Sequence, residues 1–90
     1  MQLRVDPEFR GVCEDIVARE QSIQDWRDTE SDDEFQTEHY EGGYDADEDA
    51  FCFSYFPADG EELWFQVTLA EVERIAKDQM WQLDVRPAGT

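Results

Sequence analysis

A chain of 90 residues that is 40% hydrophobic and 13% aromatic has the composition of one folded domain, because disordered acidic segments are poor in both residue classes. The formal net charge of −17 excludes direct nucleic-acid binding and docking on anionic lipid, since both depend on Lys and Arg. The sequence has no 18-residue apolar run and no signal-peptide pattern, so we expect a cytoplasmic protein without a membrane span.

The first predicted element is a helix over residues 7–27. Asp6 is suited to cap this helix, and Pro7 is suited to its first position. A polar interruption at residues 19–20 weakens the pattern. Apolar residues at helical spacing nevertheless define one face: Phe9, Val12, Cys13, Ile16, Ile23 and Trp26.

The middle of the chain predicts three antiparallel strands. Weak alternation over residues 35–40 indicates the first, and the glycines at 42–43 can supply a turn or bulge after it. Stronger alternation over residues 51–56 and 61–69 indicates a hairpin around a turn at 57–60. We expect the face of this hairpin opposite the core to be partly open; it contains Phe56, Glu62, Trp64 and Gln66.

A second helix is predicted over residues 69–79, because Thr68 and Glu71 form a capping box at its start. Residues 81–85 alternate as a possible short C-terminal strand. The predicted fold is therefore an α+β domain over residues 1–90, with an N-terminal helix, a three-stranded antiparallel sheet and a second helix. Both helices are expected to pack on one face of the sheet.

The negative charge is concentrated in the middle of the chain. Residues 28–73 hold sixteen acids and no Lys or Arg. A charge segregated in this way indicates a surface that faces a cationic partner, if the protein has one. The main alternative is a solvated acidic face without a partner.

A calcium loop is the first metal site to consider, because Asp45, Asp47 and Asp49 occupy alternate positions as in an EF-hand. Ala50 stands where that loop requires Gly, and Phe56 where it requires a bidentate Glu. The sequence therefore predicts no metal and no cofactor. Cys13 and Cys52 occur without a CxxC pair and are expected to be buried free thiols.

Enzymatic activity is not indicated. His39 is the only histidine, and no Ser or Cys near it has a nucleophile signature. Carboxylate pairs say little about acid–base catalysis in a chain with 24 acids. We therefore predict a protein that is not an enzyme and has no catalytic residues.

The function that the charge pattern favours is inhibition by nucleic-acid mimicry. Alternate residues on a strand lie about 6.6–7 Å apart, comparable with phosphates along a DNA strand, so rows of carboxylates can occupy a basic groove. Aromatic residues among the acids can add apolar contacts. The predicted partner-binding residues are Asp28, Glu30, Asp32, Asp33, Glu34, Glu38, Tyr40, Glu41, Tyr44, Asp45, Asp47, Glu48, Asp49 and Trp64.

This surface resembles that of acidic phage-encoded anti-defence proteins, including anti-restriction and anti-CRISPR inhibitors. The resemblance implies a basic, nucleic-acid-binding protein as the partner and no direct contact with nucleic acid. An immunity protein or antitoxin against a basic nuclease would use the same electrostatics. A small structural domain whose acids only solvate it is the third alternative.

Overall fold

The computed structural model describes residues 2–28 and 34–87. Five strands form one antiparallel sheet in the order β2-β3-β4-β5-β7, and β1 pairs with β6 in a separate antiparallel sheet. The fold is α+β, but the predicted three-stranded sheet is wrong. In chain order the elements are β1 (Gln2–Arg4), α1 (Pro7–Ala18), α2 (Ile23–Arg27), β2 (Phe35–Gln36), β3 (Tyr40–Asp45), β4 (Ala50–Tyr55), β5 (Leu63–Val67), α3 (Leu69–Ala76), β6 (Gln82–Asp84) and β7 (Arg86–Pro87).

The predicted helix over residues 7–27 is two helices. Asp6 caps α1 as expected, because its carboxylate accepts a hydrogen bond from the Phe9 amide. The chain leaves the helical conformation at Glu20, whose φ is +53°. Ser22 then starts α2 through a capping box with Asp25. The local capping chemistry at Ser22 therefore accounts for the second start.

The first predicted strand is also wrong in its boundaries. Residues 35–36 form β2, and the glycines at 42–43 lie inside β3, where a turn or bulge was predicted. Gly42 is required there by close approach: a Cβ at this position would lie 2.1 Å from the carbonyl oxygen of Cys52 on β4. Gly42 therefore allows two strands to pack closely, and the two glycines do not end a strand.

The hairpin of β4 and β5 and the start of α3 agree with the sequence pattern. The hairpin of β4 and β5 is confirmed, with Gly60 in its turn at a φ of +136°. The capping box of α3 is also confirmed, since Thr68 accepts from the Glu71 amide and Glu71 accepts from the Thr68 amide.

The hydrophobic core lies between the helices and one face of the five-stranded sheet. Phe9 of α1 contacts the rings of Tyr40, Phe53 and Phe65 with centroid separations of 5.1–5.2 Å. Trp26 of α2 packs edge-on against Phe51. All three helices bury apolar residues in this core, so they share one side of the sheet.

The short pair of β1 and β6 closes the domain beside this core. Leu3 lies opposite Leu83, which is buried, and the Val5 amide donates to the carbonyl oxygen of Trp81. In residues 2–28 and 34–87, no helix combines the length and apolar character needed to cross a bilayer.

Candidate functional site on the open sheet face

The candidate site lies on the sheet face opposite the helices. Side chains alternate along a strand, so Glu41 and Asp45 of β3 point away from the core that contains Tyr40 and Tyr44. The strand register places Glu41 beside Ser54, and Ser54 beside Trp64. The face that was expected to be partly open therefore has a carboxylate on β3 and an indole on β5.

A groove of about 330 Å³ runs over this face. Gly43 contributes no side chain, which leaves space between the residues on either side of it. Half-buried Trp64 and Cys52 line the groove together with the carboxylate-bearing residues of β3. We call this surface the acidic groove; its lining residues are Glu41, Gly43, Asp45, Asp47, Cys52, Phe53, Ser54 and Trp64.

The turn between β3 and β4 holds further carboxylates at the end of the groove. The Asp45 side chain accepts hydrogen bonds from the amides of Asp47 at 2.9 Å and Glu48 at 3.4 Å. Glu48 in turn accepts from Gln66 Nε2 at 3.1 Å, which brings its carboxylate toward β5. The sequence at this turn therefore positions Asp45 and Glu48 through hydrogen bonds.

Asp45, Asp47 and Asp49 occupy alternate positions in the sequence but do not form a row of carboxylates along one strand. Asp45 ends β3, whereas Asp47 and Asp49 lie in the turn, because the side chain of Asp45 bends the backbone that follows it. Residues on the same face of β3 are instead Glu41, Gly43 and Asp45. Their two carboxylate-bearing positions are separated by about 13 Å along the strand.

Asp49 is engaged within the domain. Its carboxylate forms two hydrogen bonds with the guanidinium of Arg27, at 2.9 and 3.0 Å, and it accepts from the hydroxyl of Tyr44. These bonds from Arg27 and Tyr44 lower the pKa of Asp49 to about 2. Asp49 therefore attaches α2 to the turn and has less capacity for a partner than the neighbouring acids.

The acids of the groove differ from Asp49, because no base within residues 2–28 and 34–87 forms an ion pair with them. Arginine–carboxylate ion pairs within residues 2–28 and 34–87 join Arg10 to Asp78, Arg19 to Glu34, and Arg27 to Asp49. None of these pairs includes Glu41, Asp45 or Asp47, which line the groove, or Glu48, which lies in the turn between β3 and β4.

The thiol of Cys52 lies beside the carboxylates of the acidic groove. Burial raises its pKa, and the charges of Asp45 and Glu48 raise it further, whereas a hydrogen bond from Gln66 opposes the shift. Cys13 is buried in the core, where desolvation raises its pKa to about 12. Both thiols are free; Cys13 is buried as expected, whereas Cys52 is only half-buried and borders the groove.

Five other predicted partner-binding residues that the structure describes are not part of the groove. Asp28 follows α2 and accepts from Gln24, Glu34 pairs with Arg19, and Glu38 is exposed before β3. Tyr40 and Tyr44 are each 1% exposed. These tyrosines therefore belong to the core and offer no surface to a partner. Three predicted residues lie outside the described residues: Glu30, Asp32 and Asp33.

His39 is held by a carboxylate from α1. One oxygen of Glu8 contacts His39 Nδ1 at 2.9 Å, and the other accepts from the His39 amide at 2.8 Å and from the Thr37 hydroxyl. Burial raises the pKa of Glu8, but the hydrogen bonds outweigh it and lower that pKa overall. The bond to Glu8 raises the pKa of His39 against desolvation, with smaller contributions from Glu38 and Asp6.

This pair predicts a pH-dependent contribution to stability. The contribution of His39 is fully present below its ordinary pKa of about 6.5 and is lost as the pH rises through its raised pKa. The lowered pKa of Glu8 makes its contribution present above about pH 4.5 and lost as the pH falls through the lowered value. In urea unfolding, we expect His39→Gln to destabilise the protein more at about pH 5.5 than at about pH 8.5. An equal effect at the two pH values would contradict this assignment.

No metal centre is indicated within the part of the chain that the structure describes. None of its His, Cys, Asp and Glu side chains form a group of three or more arranged to hold a metal ion.

No family model, curated protein sequence or solved structure matches this chain significantly.

Proposed function

We propose that this protein is a non-enzymatic inhibitor that binds the basic groove of a nucleic-acid-handling protein by presenting carboxylates in place of phosphates. The observation on which the proposal rests is the acidic groove: Glu41, Asp45, Asp47 and Glu48 surround one open sheet face, and none pairs with a base of the described chain. The proposed site of action is the cytoplasm.

Two properties of the groove and the net charge of the whole protein support this function. Asp45 and Glu48 are oriented by hydrogen bonds, so less conformational entropy is lost when a cationic surface docks on them. Trp64 offers an aromatic surface beside the carboxylates, and such residues often dominate interface energetics. The net charge of −17 would steer a cationic partner toward the protein from a distance and accelerate association.

The test is affinity capture, followed by measurement of displacement by duplex DNA and of the dependence on salt. The immobilised protein would be incubated with an extract of its source organism at about 50 mM salt. We expect it to retain a basic, nucleic-acid-binding protein that duplex DNA displaces. Affinity for the purified partner should fall by at least about tenfold between 50 and 200 mM salt, because ion pairs at the interface are screened.

Two results would contradict the proposal. One is a retained partner that duplex DNA does not displace at any concentration. The other is an affinity that does not depend on salt. The protein itself should not bind duplex DNA, which a direct titration would check.

A further inference from the structure

The guanidinium group of Arg86 lies over the ring of Trp64. The central carbon of the Arg86 guanidinium lies 4.4 Å from the centroid of the Trp64 ring. The two residues are cross-strand partners on β5 and β7. Arg86 forms none of the arginine–carboxylate ion pairs among the described residues, so the aromatic ring is the contact that holds its charged group.

The position of Trp64 makes this contact relevant to a partner. Trp64 lines the acidic groove, and Glu41 lines it two strands away, at a distance of about 10 Å. Arginine suits an aromatic face better than lysine does, because its guanidinium is planar and more weakly hydrated. A cationic partner that fills the groove would therefore find a stacking surface for one arginine and a carboxylate for a second cation.

We propose that Trp64 is an arginine-binding surface and that Arg86 occupies it until an arginine of the partner displaces Arg86. This inference rests on the proposed function, and it specifies that the partner contributes arginine at this point of the groove. Exchange requires little movement of the backbone, since Arg86 lies on a two-residue strand at the edge of the sheet.

The first experiment compares hexa-arginine with hexa-lysine as ligands by calorimetry at low salt. The wild type should prefer hexa-arginine more strongly than Trp64→Leu does, by about two- to fivefold in the ratio of affinities. Trp81→Leu is the matched control, because Trp81 is 58% exposed and is not a lining residue of the groove. It should keep the wild-type ratio.

The second experiment changes Arg86 and leaves the net charge constant. Arg86→Lys should bind hexa-arginine about two- to threefold more tightly than the wild type, because lysine competes less well for the ring. Arg4→Lys on β1 is the control and should have no effect. This variant tests the inference even where Trp64→Leu fails to fold.

The outcomes separate the two proposals. An unchanged arginine preference in Trp64→Leu, or an unchanged affinity in Arg86→Lys, would overturn the inference. Salt-dependent binding of both peptides in that case would leave the proposed function standing. Failure of the wild type to bind either peptide at low salt would overturn both.

Discussion

Replacement of Gly42 by alanine is expected to reduce the free energy of unfolding by about 3 kcal/mol or more, at the upper end of the usual range for overpacking. The added Cβ would lie 2.1 Å from the carbonyl oxygen of Cys52 and 2.8 Å from the Cα of Phe53. Both atoms belong to the backbone of β4, so they cannot move aside by a rotamer change. A domain of this size has a total stability of only about 5–13 kcal/mol, which makes the loss severe.

Gly11→Ala provides the matched control, with an effect of the opposite sign. Gly11 lies inside α1, and a Cβ there would have no heavy atom within 4 Å. Alanine in a helix interior is more stable than glycine by about 0.5–1 kcal/mol. Urea unfolding of the two variants measures both effects, and a Gly42→Ala variant as stable as the wild type would contradict the close approach of β3 and β4.

Neutralisation of the acids at the groove is expected to weaken partner binding by about 100-fold or more, because close charge pairs across interfaces have coupling energies of roughly 1.5–7 kcal/mol. Asn and Gln keep the side-chain oxygens that the turn and Gln66 require. The loss of affinity should therefore occur without unfolding. The substitutions are Glu41→Gln, Asp45→Asn, Asp47→Asn and Glu48→Gln, and Asp49 is retained because it holds Arg27.

The control for this variant neutralises four acids on the helical side of the domain, so that each variant loses the same number of charges from the total of −17. These are Glu14→Gln, Asp15→Asn, Glu20→Gln and Glu73→Gln, all at exposed positions. Because long-range steering depends on total charge, both variants should associate more slowly. Only the groove variant should also dissociate faster, as surface plasmon resonance would measure. Equal dissociation rates in the two variants would contradict the placement of the interface.

The elements that could be predicted from the sequence are those with local signals. The cap at Asp6, the capping box at Thr68 and the alternation of β4 and β5 each depend on residues only a few positions apart. The bounds of β2 were missed because this strand has only two residues, and β7 could not be predicted because it pairs with β5, which is distant in sequence. The register of β3 was also missed, since a Gly-Gly pair inside a strand is more typical of a turn or bulge.

The sequence predicted that the candidate site would be negatively charged, but it did not predict which residues form it. Tyr40 and Tyr44 were grouped with exposed acids because residues 40–45 were not predicted as one strand, so the alternation that buries both side chains was missed. Of the residues that line the groove, only Trp64 was predicted on the open face; Glu41 and Asp45 were predicted as partner-binding residues without a position on the sheet. Arg86 could not be predicted, because nothing local to β7 indicates that its guanidinium reaches the ring of Trp64.

The pairing of β1 with β6 has a consequence for the order in which the chain can fold. Gln2 pairs opposite Asp84, so this contact closes a loop of nearly the entire chain and cannot form on the ribosome until β6 has been synthesised. The strands β3, β4 and β5 are joined by short turns, and their loop-closure cost is small. A nascent chain can thus assemble the strands that bear the groove carboxylates while β1 still awaits its partner.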